Sequence, residues 1–321
     1  MHVHTKVPRQ SVKKTRDDIL PHDGSTIARR IVCFMQAVSQ SHNVSKHARS
    51  KMTPKFESMV DVGCGDGHSS ALFAPYFNKV TGIDKSKAQV LKAEEYSKTL
   101  DPKSYSCLQF QVASGENMPF RDSSQDLVCF SRSFHWMELM SDAMREARRV
   151  LKPDGCLAMY CTGFPKISKQ LSPDEHASNV TVEKNKKANE LLDNFFRHDC
   201  EIHPRSVLAV DDKYQRIYEA ITVDHEPRKG SKFIIIDDKN LAIRKNFVTI
   251  REFAQMLQSY AGYRCAKITL SENNSQNDPL NDFVNNLKST WSVDKLPNDE
   301  IYLDITWDVS LILSTRPAKL K

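Results

Sequence analysis

Between residues 56 and 161, short apolar runs alternate with segments of helical spacing, which predicts a parallel sheet flanked by helices. Residues 59–62, 79–84, 107–112, 127–131 and 156–161 read as strands. Residues 68–73 read as a short helix, and a second begins at Ser86, with Gln89 at capping-box spacing. A third, over 141–151, places Met144, Ala147, Val150 and Leu151 on one face, and its arginines read as the solvated side. Right-handed crossovers between parallel strands would wind these elements into an open α/β sheet.

Outside that stretch the pattern changes. Residues 1–24 look irregular, with Pro8, Pro21 and Gly24 as breakers. Ser25 opens a helical spacing through Ile27, Ile31, Phe34, Met35 and Val38, and 39–54 form a polar connector. Beyond Cys161 the alternation lapses for more than a hundred residues. Residues 165–181 are polar and interrupted by proline, and a helix is expected over 182–199. A strand pair is expected around 217–223 and 233–236, then a helix facing Phe253, Met256, Leu257 and Tyr260 inward. From Ile301 to Leu313 apolar and polar residues alternate strictly, which predicts a strand with one buried face. If that strand closes the first sheet, residues 164–290 are an inserted cap and substrate region. The division is then an N-terminal arm and helix (1–55), a core (56–163), the cap (164–290) and a C-terminal strand (291–321).

Composition narrows the class. Hydrophobic residues make up 40% and charged residues 27%, as in a soluble globular protein. No apolar run approaches the ~18 residues of a membrane span, and the opening residues lack the apolar core of a signal peptide. The eight cysteines show no metal-ligand spacing and fit a reducing, cytoplasmic setting. No metal site is expected. Charge is uneven: residues 1–55 hold eleven Lys/Arg against three acids, within a chain total of 46 against 40. The body is therefore near neutral, which argues against a broad nucleic-acid surface.

The candidate chemistry lies in Asp61-x-Gly63-x-Gly65-x-Gly67, followed about 20 residues on by Asp84 at the end of a strand. Glycines let a backbone pass close to a ligand, and an acid at the next strand end is placed for ribose hydroxyls. The dinucleotide fingerprint G-x-G-x-x-G is broken by His68. The pattern instead resembles motif I of the class I S-adenosylmethionine (AdoMet) methyltransferases. Ala113-Ser114-Gly115-Glu116-Asn117-Met118-Pro119-Phe120, the Asp126-Leu127-Val128 run and Leu151-Lys152-Pro153-Asp154-Gly155 are similar to later motifs of the small-molecule ("type 11") group. The resemblance implies a Rossmann-like seven-stranded sheet with an antiparallel last strand, and AdoMet as cofactor. It implies cofactor contacts from Asp61, Gly63, Cys64, Gly65, Asp84, Lys85, Ser114, Gly115, Glu116 and Ser131; Ser114 stands where many members carry Asp.

The acceptor side is less constrained. Ser131-Arg132-Ser133-Phe134-His135-Trp136 follows the fourth strand, and an N/D-P-P-Y sequence is absent there. The His-Trp pair resembles a subgroup that includes trans-aconitate and juvenile-hormone-acid methyltransferases. Arg244 to Thr249 and Glu252 to Tyr263 resemble a segment of the eukaryotic trans-aconitate methyltransferase-like group, with Tyr260 in place of a Trp. The implied roles are His135 as catalytic residue, the alternative being a structural residue bonded to backbone, and Trp136, Arg244 and Tyr260 toward the substrate. Trp136 is expected to pack over cofactor or substrate. Arg205 and Arg216 are further carboxylate partners, and Phe195, Phe196 and Tyr214 further walls. A small organic acid is the expected acceptor, because a carboxylate with pKa about 4 is already ionised and needs no general base. Methylation of protein or RNA, or cofactor binding without catalysis, are the alternatives.

Overall fold

A computed structural model of the chain describes residues 24–42, 55–169, 179–200, 204–217, 219, 233–236, 242–272 and 278–315. The expected strands form in the expected order: β1 (Phe56–Val62), β2 (Phe77–Asp84), β3 (Leu108–Val112), β4 (Gln125–Ser131) and β5 (Leu151–Thr162). They are parallel and lie in the order β3-β2-β1-β4-β5, with Val62 beside Ile83, Val60 beside Val128 and Ser131 beside Tyr160. The closing strand, β9 (Tyr302–Thr315), runs antiparallel to β5, pairing Ala158 with Leu313. The α/β sheet with an antiparallel last strand is therefore present.

The sheet has nine strands among the described residues, not seven. β6 (Lys166–Lys169), β7 (Phe233–Ile236) and β8 (Ala242–Thr249) all pair with β9. The reason is length. At 14 residues, β9 runs past the end of β5, and the backbone groups of its first half need partners. β6 continues the line of β5 along one edge, and β8 continues the line of β7 along the other. Residues 164–290 thus contribute strands to the sheet itself and are not only a cap laid on it.

Each face of the sheet carries a buried cluster. On one, Ile27, Ile31 and Met35 of helix Gly24–His42 join Phe253 and Met256 of helix Ile250–Ser259, Phe283 and Leu287 of helix Pro279–Trp291, and Leu303, Ile305 and Trp307 of β9. On the other, Ala143, Met144, Ala147 and Val150 of helix Met140–Val150 cover Val60, Val62, Val128 and Phe130. Thr249 caps helix Ile250–Ser259 in a reciprocal box with Glu252.

Several expectations are corrected. The first helix runs on to His42, so 39–42 are not connector. The helix expected over 182–199 starts at Asn179 and ends in a π-helical turn, Phe195–Asp199. Ile217 and Glu219 are helical and not strand, and most of 217–223 lies outside the described residues, as do 1–23. Among the described residues no helix is long and apolar enough to cross a membrane.

Candidate active site

The glycine loop leaves β1 under tension between two demands: it must turn sharply and still hold β2. Gly63 and Gly65 take left-handed φ of 69° and 56°. The N–H groups of Gly63 and Cys64 both donate to the Ile83 carbonyl, at 2.8 and 3.0 Å. A side chain at Gly63 would meet Ser133 Cβ at 2.6 Å, whereas one at Gly65 would meet no atom within 4 Å. The loop is therefore closed at Gly63 and open at Gly65. Cys64 is buried with its sulfur beside Gly82, and its thiol donates to the Gly65 carbonyl at 3.8 Å.

Asp84 faces the open side of the loop. Its Oδ2 accepts the Gly65 N–H at 3.0 Å and its Oδ1 the Ser86 N–H at 2.8 Å. Both oxygens are oriented, and each keeps a lone pair for a further donor. Asp61 is fully buried at the end of β1. Its Oδ2 accepts the Ser70 hydroxyl at 2.7 Å, and its Oδ1 has no hydrogen-bond partner among the described residues. Burial pushes this carboxyl up to about 6, against the pull of Ser70.

The loop after β3 forms the next wall. The Ser114 hydroxyl donates to Glu116, whose other oxygen accepts the Glu138 N–H at 2.7 Å. Burial alone would raise Glu116, but these hydrogen bonds hold it below the ordinary glutamate range. Gly115 allows close packing, since a Cβ there would meet Met137 Sδ at 2.7 Å. Lys85 is exposed, and its ammonium pairs with Glu138 at 2.6 Å.

What holds this wall was not visible in the chain. Arg149, read from sequence as solvated, donates to the carbonyls of Met118 and Phe120 at 2.9 and 2.8 Å, to Asp122 at 2.8 Å, and to both oxygens of Glu146. Glu146 in turn accepts the Met118 N–H at 2.8 Å. The helical (i, i+3) spacing puts Arg149 and Glu146 side by side, and together they clamp the 118–122 loop to helix Met140–Val150.

The end of β4 brings the acceptor candidates forward. Ser131 is buried, its Oγ 3.4 Å from Cys129 Sγ. Arg132 adopts a left-handed φ of 59°, which carries its exposed side chain off the strand direction. Its guanidinium makes no hydrogen bond or ion pair among the described residues. Its charge bears on Asp61, Asp66, Tyr160, Tyr214 and Tyr260. The 3-10 turn Phe134–Trp136 then buries His135, whose Nδ1 lies 2.7 Å from the Tyr214 hydroxyl. Trp136 is 44% exposed, contrary to the expected packing. The adjacent Phe134 and His135 take the interior places of the turn.

The remaining candidates scatter. Arg244 is exposed on β8 opposite Thr306, and Arg216 is exposed beside Asp212. The Arg205 side chain lies outside the described residues. Phe195 is core, Phe196 is core that also lines a cavity, and Tyr260 packs on Phe196 at 5.2 Å. That cavity, of about 250 Å³, lies past the end of β5 between Cys161, Phe164, Phe196, Lys166, Lys213 and Asp308. Sequence reading missed Arg132 and Arg149; only the left-handed φ marks the first, and nothing local marks the second.

The residues fit AdoMet. The cradle at Gly65 is open, Asp84 is oriented for two hydroxyls, and Asp61 keeps a buried acceptor suited to an ammonium group. Comparison with known proteins agrees. Residues 60–159 match the family model of a methyltransferase domain. The chain is 33% identical over 97 residues to the uncharacterized methyltransferase YcgJ of Bacillus subtilis, covering 30% of this chain and 37% of that one. It is 29% identical over 135 residues to the malonyl-[acyl-carrier protein] O-methyltransferase of Methylovorus, covering 41% and 45%. The chain thus spans less than half the length of these curated relatives. A solved structure from Anaeromyxobacter dehalogenans, provisionally assigned as a type II methyltransferase, is 17% identical and superposes with a TM-score of 0.57 over 89% of this chain and 96% of that one, a likeness of fold. The sheet order and the glycine loop are those expected of the methyltransferase domain whose family model residues 60–159, about a third of the chain, match.

Proposed function

We propose that this chain transfers the methyl group of AdoMet to a carboxylate oxygen of a small organic acid. The observation that carries the reading is Arg132: an exposed guanidinium with no hydrogen bond or ion pair among the described residues, on a left-handed backbone at the end of β4, where ligands of open α/β sheets bind. Guanidinium matches a carboxylate with two parallel hydrogen bonds. An acceptor with two carboxylates could be held by one and react through the other. The resemblance to trans-aconitate methyltransferases and the O-methyltransferase among the relatives support the same class.

Bound AdoMet supplies a methyl carbon made electrophilic by its sulfonium. The protein aligns the acceptor and excludes water. In this reading Asp84 holds the ribose hydroxyls, Asp61 the methionyl ammonium, and the 114–118 loop the adenine edge. Arg132, His135 and Trp136 meet the acceptor. Residues from the 164–290 stretch close that side, with Lys166 and Lys213 at the cavity wall.

Tritiated methyl transfer from AdoMet into di- and tricarboxylic acids tests this directly. A base-labile methyl ester is the expected product. Label in protein or RNA but in no acid would overturn the acceptor class. Arg132→Ala should raise KM for the acid by about tenfold or more, as hydrogen bonds to charged groups are worth about 1.5–3 kcal/mol. Affinity for AdoMet should not change.

Asp61 gives the cofactor step a pH dependence. Its folded carboxyl ionises near 6, above the ordinary 3.8, so the ammonium-binding form is lost as pH falls through 6. At one unit below that value, AdoMet affinity measured by calorimetry should drop about tenfold. Stability of the unliganded protein moves the other way: the cost of burying the charge is absent below 3.8 and complete above 6. Asp61→Asn should abolish both dependences.

A further inference from the structure

Tyr214 comes from the part of the chain that breaks the strand–helix alternation, yet it ends fully buried against the turn after β4. Lys213 and Tyr214 are both left-handed, with φ of 51° and 65°. A left-handed backbone is unfavourable for residues other than glycine, so the surrounding packing must hold the turn in place. The turn aims the phenol at His135, and Phe134, Ala209 and Ile217 share its buried cluster.

The proton count on this pair can be worked out. Burial pushes the Tyr214 phenol well above its ordinary range, so it keeps its proton. A hydroxyl has one proton to give. Among the described residues the one hydrogen-bond partner of that buried hydroxyl is His135 Nδ1, 2.7 Å away, so its proton has that nitrogen as its acceptor. Nδ1 is then an acceptor, and the neutral ring carries its proton on Nε2. We propose that Tyr214 is a positioning residue that holds His135 as the Nε2–H tautomer, so that His135 acts as a hydrogen-bond donor and not as a general base.

The consequence rests on the proposed function. A ring with Nδ1 bonded to a hydroxyl and Nε2 protonated has no lone pair for a substrate proton. A phenol or amine acceptor would be poorly served, whereas a carboxylate needs only to be oriented.

The test is nitrogen-15 spectroscopy of the histidine rings in the full chain, with His135→Gln identifying the His135 signals by their loss. The wild type should show a protonated Nε2 and an unprotonated Nδ1, and Tyr214→Phe should redistribute the proton between them. A proton on Nδ1 in the wild type, or signals unchanged by Tyr214→Phe, would overturn the assignment. These readings need no acceptor, so they stand apart from whether any acid is methylated. Kinetics at saturating AdoMet add a second check. His135→Gln, which keeps an N–H donor, should retain kcat/KM within about tenfold, while His135→Ala loses more, as one hydrogen bond to a charged group accounts for. A rise of wild-type kcat/KM through the imidazole range near pH 6.5 would mark a base and refute the proposal.

Discussion

Replacing Asp84 by Ala should weaken AdoMet binding by at least tenfold in calorimetry, with the protein still folded. The carboxylate sits at the end of β2 with one oxygen on the Gly65 N–H and the other on the Ser86 N–H. Those bonds fix its direction, so its remaining lone pairs are preorganised for two ribose hydroxyls. Each charge-assisted bond is worth about 1.5–3 kcal/mol, and losing even one costs an order of magnitude or more. The substitution also releases the Gly65 N–H, which loosens the open half of the glycine loop. Asp84→Asn keeps an acceptor on one side and should fall between. Unchanged affinity in a folded Asp84→Ala protein would remove the cofactor assignment of this residue, and NAD should not bind in either case.

The second large effect is on stability. Arg149→Ala should lower the free energy of unfolding by about 3 kcal/mol, read from the urea midpoint at constant slope. The loss comes from what is left behind. Glu146 has a side chain only 12% exposed and would keep its charge without its partner, while the Met118 and Phe120 carbonyls would lose their donor. Arg149→Lys should recover little, because an ammonium cannot reproduce the planar fork that bonds Glu146 and the two carbonyls together. The hydrogen bonds of Arg149 hold Glu146 below its ordinary range. A depressed carboxyl contributes above the ordinary glutamate range and loses that contribution as pH falls through it, so wild type and Arg149→Ala should converge in acid. AdoMet affinity should also decline, since the clamp anchors the loop that carries Ser114 and Gly115. A variant of wild-type stability would show that the loop is held by its own turns.

Much of the cofactor side could be read along the chain because its causes are local. Gly63 and Gly65 are required where the backbone turns left-handed, and Asp84 follows from the length of one helix and one strand. The acceptor side was read less well. Trp136, expected to pack over cofactor or substrate, is 44% exposed, because which residue of a 3-10 turn faces inward depends on the register of the strand before it. The Lys85 ammonium pairs with Glu138, a partner 53 residues away that no local pattern predicts. Arg149 looks like any other charge on a polar helix face until the 118–122 loop is laid across it.

The sequence by itself determined the order and direction of the parallel strands, the glycine loop and the buried alternation of β9. Period-two and helical spacing are properties of neighbouring residues, and they survive whatever the rest of the chain does. Only the tertiary structure decided that β9 needs β6, β7 and β8 to satisfy its length, and that the left-handed turn at Tyr214 reaches His135 from 79 residues away. Those outcomes depend on where long connections return to the sheet. A hydrogen bond between distant residues leaves no periodic trace in either segment, and its partner is selected by packing that no short window of sequence contains.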